Sequence, residues 1–120
     1  MEIEFVPPKL EIKYYDFRKM KKEYGEQIAE GMMKFLQAVR AADSAYDLKA
    51  MPQFFIEHKK GNLKEYYAAS LDKKKSKWRL MIQMLDLYNN VVVPDEDEKK
   101  FLQGIKKIRI REMSDHYDEY

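Results

Sequence analysis

Apolar and polar residues alternate over residues 2–6 (EIEFV), with Ile3 and Phe5 on one side, until Pro7 and Pro8 end the run. Proline supplies no N–H for a ladder, so this pattern predicts a short first strand. After Pro8 the period lengthens: Leu10, Tyr14, Phe17 and Tyr24 recur at helical spacing, with Met20 or Lys21 filling the turn between and Gly25 closing the segment. The spacing predicts a helix over 9–24, its weak point being EIKYY (11–15), which also reads as a strand. The clearest element is 26–43, where Ile28, Met32, Phe35, Val39 and Ala42 form one stripe opposite the charges of a second helix.

The period changes again in the second half. Tyr66–Leu71 is apolar and β-tolerant, and DKKKSK (72–77) makes a basic turn. Trp78, Leu80, Ile82 and Met84 then alternate with Arg79, Met81, Gln83 and Leu85; a strand apolar on nearly both faces belongs in the middle of a sheet. Asn89–Asn90 predicts a turn and Val91–Val93 a short extension. Asp95, with Glu98 three residues on, reads as the cap of a helical turn ended by Gly104; the Asp95–Glu98 stretch otherwise reads as a solvated loop. A last strand spans 105–113, with Ile108 and Ile110 inward and Lys107, Arg109 and Arg111 outward. Strand, two helices and a three-stranded meander make an α+β fold with helices on one face of a small, twisted, mainly antiparallel sheet. At 120 residues one domain, 1–120, accounts for the chain.

Composition narrows the setting. Cysteine is absent, which excludes disulfides and thiolate metal sites and fits a reducing, cytoplasmic environment. No apolar run approaches the ~20 residues of a bilayer span, and the acidic, proline-interrupted start MEIEFVPPKLEIKYY does not read as a signal peptide. The net charge of +2 is uneven: residues 57–79 carry eight Lys/Arg (Lys59, Lys60, Lys64, Lys73, Lys74, Lys75, Lys77, Arg79) against three Asp/Glu, whereas residues 1–56 balance at nine against nine. Such a segment is a footprint for an anionic polymer or, equally, a solvated loop that keeps the protein soluble.

Common catalytic signatures are missing: the four glycines form no phosphate-cradling loop, and neither HExxH nor GxSxG occurs. The two histidines, His58 and His116, each have charged or aromatic neighbours and read first as surface residues. Arg79 in a central strand is open to simple pairing with a carboxylate, and Trp78, Tyr66 and Tyr67 to packing. If the strands beginning near Tyr66 and ending near Met113 flank the Arg79 strand, both histidines and the arginine line one concave face. That set would supply what metal-free RNA cleavage needs: a base for the ribose 2′-hydroxyl, an acid for the leaving 5′-oxygen and a cation for the phosphorane.

EHKKGNLKEYY (57–67) resembles the element entering a strand in HigB-type toxins of the plasmid maintenance killer family, within the RelE/ParE superfamily. WRLMIQ (78–83) is similar to that family's central strand, and IRIREMSDHY (108–117) to its terminal strand and acidic-Tyr-His tail. FVPPKL (5–10), EYG (23–25) and AADSAYDL (41–48) extend the resemblance over nearly the whole chain. It implies a RelE-like sheet against two N-terminal helices and a ribosome-dependent, metal-independent mRNA endonuclease that inhibits translation without a cofactor. Carried over, His58 would be the acid or base, Arg79 the phosphate-binding cation, and Asp115, His116 and Tyr117 the completing tail. Lys59, Lys60, Lys64, Lys73, Lys74, Lys75 and Lys77 would grip message or ribosomal RNA. The implied partners are ribosome, mRNA and a HigA-like helix-turn-helix antitoxin, with operator DNA reached only through the antitoxin complex and no membrane. The tail departs from the family, reading Asp-His-Tyr here in place of Asp-Tyr-His. A protein-binding inhibitor on the same scaffold, such as a ParE-like gyrase poison, and a catalytically inactive binding module remain the alternatives.

Overall fold

The sheet is organised around a strand in which every residue is buried, Arg79–Leu85. In the computed structural model, which describes residues 1–116, this strand (β4) is the middle of five. The others are β1 (Glu2–Phe5), β2 (Glu57–His58), β3 (Tyr67–Ala69) and β5 (Lys107–Ser114), in the order β1-β5-β4-β3-β2. β1 runs parallel to β5 and the other pairings are antiparallel, so the sheet is mixed. The parallel β1 and the two-residue edge strand β2 add to the meander read from the sequence. The turn expected at 89–90 forms slightly earlier, at Leu87–Tyr88, where the Asn89 N–H donates to the Asp86 carbonyl at 3.2 Å; beyond it Val91 bridges Leu85 while the Val92 N–H donates to Met84 at 3.0 Å.

The stretch 9–24 is two helices, α1 (Leu10–Tyr14) and α2 (Phe17–Tyr24). Asp16 makes the break: its backbone is extended, and its carboxylate accepts the Lys19 N–H at 3.1 Å, which caps a new helix. Gly25, at φ +93°, is a one-residue joint to α3 (Glu26–Ala41). The stripe of α3 buries Ile28, Met32, Phe35, Leu36 and Val39 in one core with Leu80, Ile82, Met84, Ile108 and Ile110. Two short helices complete that layer, α4 (Ala45–Lys49) and α5 (Glu98–Gln103), the first of them not anticipated. α5 begins two residues later than the sequence reading placed it: Asp97, not Asp95, caps it by accepting the Lys100 N–H at 3.1 Å. Among the described residues no helix is long and apolar enough to cross a membrane.

Register explains how β5 serves both sheet faces. Leu80 pairs with Met113 and Ile82 with Ile110, so Met81 faces two residues, Arg111 and Glu112. This is a β-bulge, and it returns Met113 to the core after Ile108 and Ile110. The Tyr14 hydroxyl fills the bulge, donating to the Arg111 carbonyl at 2.9 Å and accepting the Met113 N–H at 3.1 Å. α3 is held equally close to the segment after β3, because a Cβ on Gly31 would run into the Leu71 carbonyl.

Removing the Tyr14 hydroxyl with Tyr14→Phe leaves two backbone groups of the bulge without that partner and should cost about 1–3 kcal/mol in denaturant unfolding. Gly31→Ala should cost at least as much through overpacking against backbone that cannot give way. Wild-type midpoints in both variants would show that neither contact supports the fold.

Candidate active site

Parity along the strands separates the residues expected to act together. His58 lies opposite Tyr67, and Tyr67 opposite Ile82, a core residue on the helix-covered face. Arg79 occupies an odd position of β4 with Met81 and Gln83, so it points to the other face; directly paired residues share a face and neighbours along a strand alternate. β3 and β5 do flank β4, as the sequence reading required. His58 and Arg79 nevertheless do not line one concave face, which corrects that expectation.

His58 is built into the sheet edge. Its ring stacks on Tyr67 with centroids 4.7 Å apart and planes 26° from parallel. Its Nε2 stands 2.6 Å from the Lys64 carbonyl oxygen, an acceptor only, so Nε2 is the donor in this contact. A hollow of about 420 Å3 beside it is lined by Glu57, His58, Lys59, Lys60, Asn62 and Leu63. Lys59 pairs with Glu57 at 3.5 Å, while Lys60 and Lys64 are exposed. Beneath the imidazole, the Tyr67 hydroxyl donates to Glu98 at 3.4 Å, and Glu98 also pairs with Lys49 at 3.6 Å. Glu98 thus belongs to a packed polar cluster and not to a solvated acidic loop. Burial, followed by the adjacent Glu98 carboxylate, pushes the Tyr67 phenol far above its ordinary value.

The helix-free face holds a different constellation. Arg79 is 8% exposed and donates through Nη1 to the carbonyls of Ser76 at 2.7 Å and Trp78 at 2.8 Å. Ser114 is its partner on β5, and Asp115 and His116 follow directly. The His116 N–H donates to the Ser114 Oγ at 3.1 Å, and its Nε2 stands 3.2 Å from the Asp115 carboxylate with the imidazole side chain 77% exposed. Arg79, Asp115 and His116 are therefore brought to one end of the sheet. Tyr117 lies outside the described residues.

Sequence reasoning passed over two arginines on this face. Arg109 pairs with Glu4 at 2.8 Å and donates to the Asn89 carbonyl at 3.3 Å. Arg111 pairs with its neighbour Glu112 at 3.2 Å and donates to Gln83 at 3.4 Å, an arrangement the bulge permits by placing both residues opposite Met81. Their outward position was legible from alternation; their placement on the same sheet face as Arg79 required the strand order. The basic turn is exposed at Lys73, Lys74, Lys75 and Lys77, with Lys73 and Lys74 both left-handed at φ +56° and +63°. Tyr67 is core, and Trp78 is half-buried edge-on to Tyr24 at 4.9 Å. Among the described residues no group of three His, Asp or Glu side chains stands where a metal ion could be held.

The chain matches no protein-family model, and searches of curated proteins and of solved structures return no significant match.

The raised Tyr67 pKa has a consequence at alkaline pH. The unfolded phenol ionises near its ordinary value of about 10 while the folded one stays protonated, so its contribution to stability is fully present below that pH and falls progressively as pH rises from there toward the much higher folded value. The melting-temperature advantage of wild type over Tyr67→Phe should accordingly shrink between about pH 9 and pH 11. A gap constant over that range would contradict the burial of a neutral phenol.

Proposed function

We propose that this chain is a cytoplasmic toxin of the HigB/RelE kind: a ribosome-dependent mRNA endonuclease with a RelE-like fold, restrained by a HigA-like antitoxin. The observation that carries the reading is the strand register, which puts Arg79, Arg109 and Arg111 of the two central strands on one sheet face, with Asp115 and His116 directly following β5. Cleavage by the ribose 2′-hydroxyl needs cations for the phosphorane and a group that takes or gives a proton; arginines and an exposed imidazole are groups of those kinds. The resemblance of the 57–67, 78–83 and 108–117 stretches to that family supports the same reading.

Geometry redistributes the roles. His116, oriented by Asp115, is the described acid/base group, with Tyr117 following it in the tail. Arg109 and Arg111, each with part of its side chain exposed, meet the phosphate. Arg79, committed to two carbonyls, positions the turn before β4. Lys59, Lys60 and Lys64 contact RNA at the β2 edge, and His58 supports that edge as a structural residue.

A second reading, a protein-binding inhibitor such as a gyrase poison, draws on the separation of His58 from Arg79, since a binder needs no acid/base pair across the sheet. The two diverge in growing cells. The RNase arrests protein synthesis and leaves DNA supercoiling normal, whereas continued translation with accumulating DNA breaks establishes the inhibitor.

Purified protein added to translating ribosomes, with message ends mapped, tests the assignment. His116→Ala should lower cleavage by a factor on the order of 10²–10⁴, the usual contribution of one acid/base group, at an unchanged melting temperature. Arg111→Ala should fall in a similar range. His58→Ala should instead lower the melting temperature and retain most activity. Full activity in His116→Ala with abolition in a well-folded His58→Ala would reverse the assignment to the other sheet face.

A further inference from the structure

The first 56 residues are electrically balanced as a whole, yet Arg18, Lys19, Lys21 and Lys22 fall within five positions. Folding leaves that cluster in water. All four cations of α2 (Arg18, Lys19, Lys21 and Lys22) are exposed, and the acids around them leave three of the four without an ion pair among the described residues. Asp16 caps the helix, Glu23 holds Lys13 at 2.8 Å, and Glu26 stands 3.7 Å from Lys21. Among the described residues no carboxylate lies within ion-pair distance of Arg18, Lys19 or Lys22. Lys13, Lys19, Lys22 and Glu23 line a shallow groove of about 470 Å3.

The same helix is joined to the lysine turn at 73–77, distant from it in the sequence. Tyr24, its last residue, meets Trp78 edge-on at 4.9 Å, and Trp78 directly follows Lys77. The turn is held at both ends: Arg79 grips the carbonyls of Ser76 and Trp78, and the buried Ser70 Oγ accepts the Lys74 N–H at 2.7 Å. Lys73 and Lys74 adopt left-handed backbone that costs a side-chain-bearing residue energy and persists only where the surroundings hold it.

We propose that α2 and the 73–77 turn form one phosphate-binding surface for RNA, apart from the helix-free face on which cleavage is placed. The choice of RNA as the polyanion rests on the proposed function; the surface itself does not. A bilayer is a poor occupant because the apolar side of α2 is spent on the core, with Met20 fully buried and Phe17 and Tyr24 packed against it. No apolar stripe is left to enter a membrane. Cations on two separate rigid elements suit a backbone that passes from one to the other, gripped by charge and indifferent to base.

The experiment is a salt titration of the full-length protein with a fluorescently labelled single-stranded RNA and a labelled RNA hairpin, read by anisotropy. Each phosphate contact contributes about 0.7–0.9 to the slope of log K against log salt. The variant Arg18→Gln/Lys19→Gln/Lys22→Gln and the variant Lys73→Gln/Lys75→Gln/Lys77→Gln should each flatten the slope by about 2 on the same RNA, and their combination by about twice that. All these side chains are exposed, so melting temperatures should stay at the wild-type value; the single changes Lys19→Gln and Lys22→Gln give the same test in smaller steps. Wild-type affinity and slope in the α2 variant would overturn the proposal. So would tight binding to phosphatidylserine vesicles that RNA does not displace. A wild-type protein that shows these slopes but leaves message uncut refutes the nuclease and leaves the surface standing; one that cuts message with α2 neutralised and RNA binding unchanged does the reverse.

Discussion

Burial of β4 on both faces is the constraint around which the rest of this structure is arranged. Leu80, Ile82 and Met84 are covered by α3 and its neighbours, an ordinary helix-on-sheet core. Met81 and Leu85 point the other way and are as fully buried, yet the neighbouring positions on β5 are Lys107, Arg109, Arg111 and Glu112. Long charged side chains can cover apolar surface with their stems while their heads stay in water. The helix-free face therefore shields part of the core and at the same time displays guanidinium groups. Gln83 is 3% exposed and meets this environment through Arg111.

The bulge in β5 makes the two requirements compatible. A regular strand continuing past Ile110 would turn Glu112 into the core and Met113 out of it. One extra residue opposite Met81 reverses both, and the Tyr14 hydroxyl, arriving from α1, satisfies the backbone groups so displaced. A single phenol thus ties the N-terminal helices to the strand from which Arg109, Arg111, Ser114 and the Asp115–His116 pair emerge.

Placement of the histidines follows from the same parity. His58 and Arg79 are 21 positions apart and belong to strands separated only by β3, yet the register puts them on opposite faces. The stacked Tyr67 ring and the Lys64 carbonyl give His58 a packing role that needs no chemistry to account for it. His116 is exposed and follows β5 by two residues, its ring against the Asp115 carboxylate. That difference is why the proposed function gives the acid/base role to His116 and not to His58.

Much of the fold was legible in the residue pattern. The stripe of α3, the alternation of β5 and the two-sided apolarity of β4 are local consequences of side-chain period, and each of these elements stands within a few residues of where that period put it. The break at Asp16 was present in the sequence as a capping residue, although the apolar spacing of 9–24 ran through it. What residue order determined was therefore the set of elements, their buried sides and the chemical groups available. Strand order, the parallel β1, the bulge and the meeting of α2 with the 73–77 turn were decided by tertiary structure alone. They arise from pairings between segments far apart in the chain, and a shift of one residue in such a pairing moves a side chain to the opposite face while leaving the local pattern unchanged.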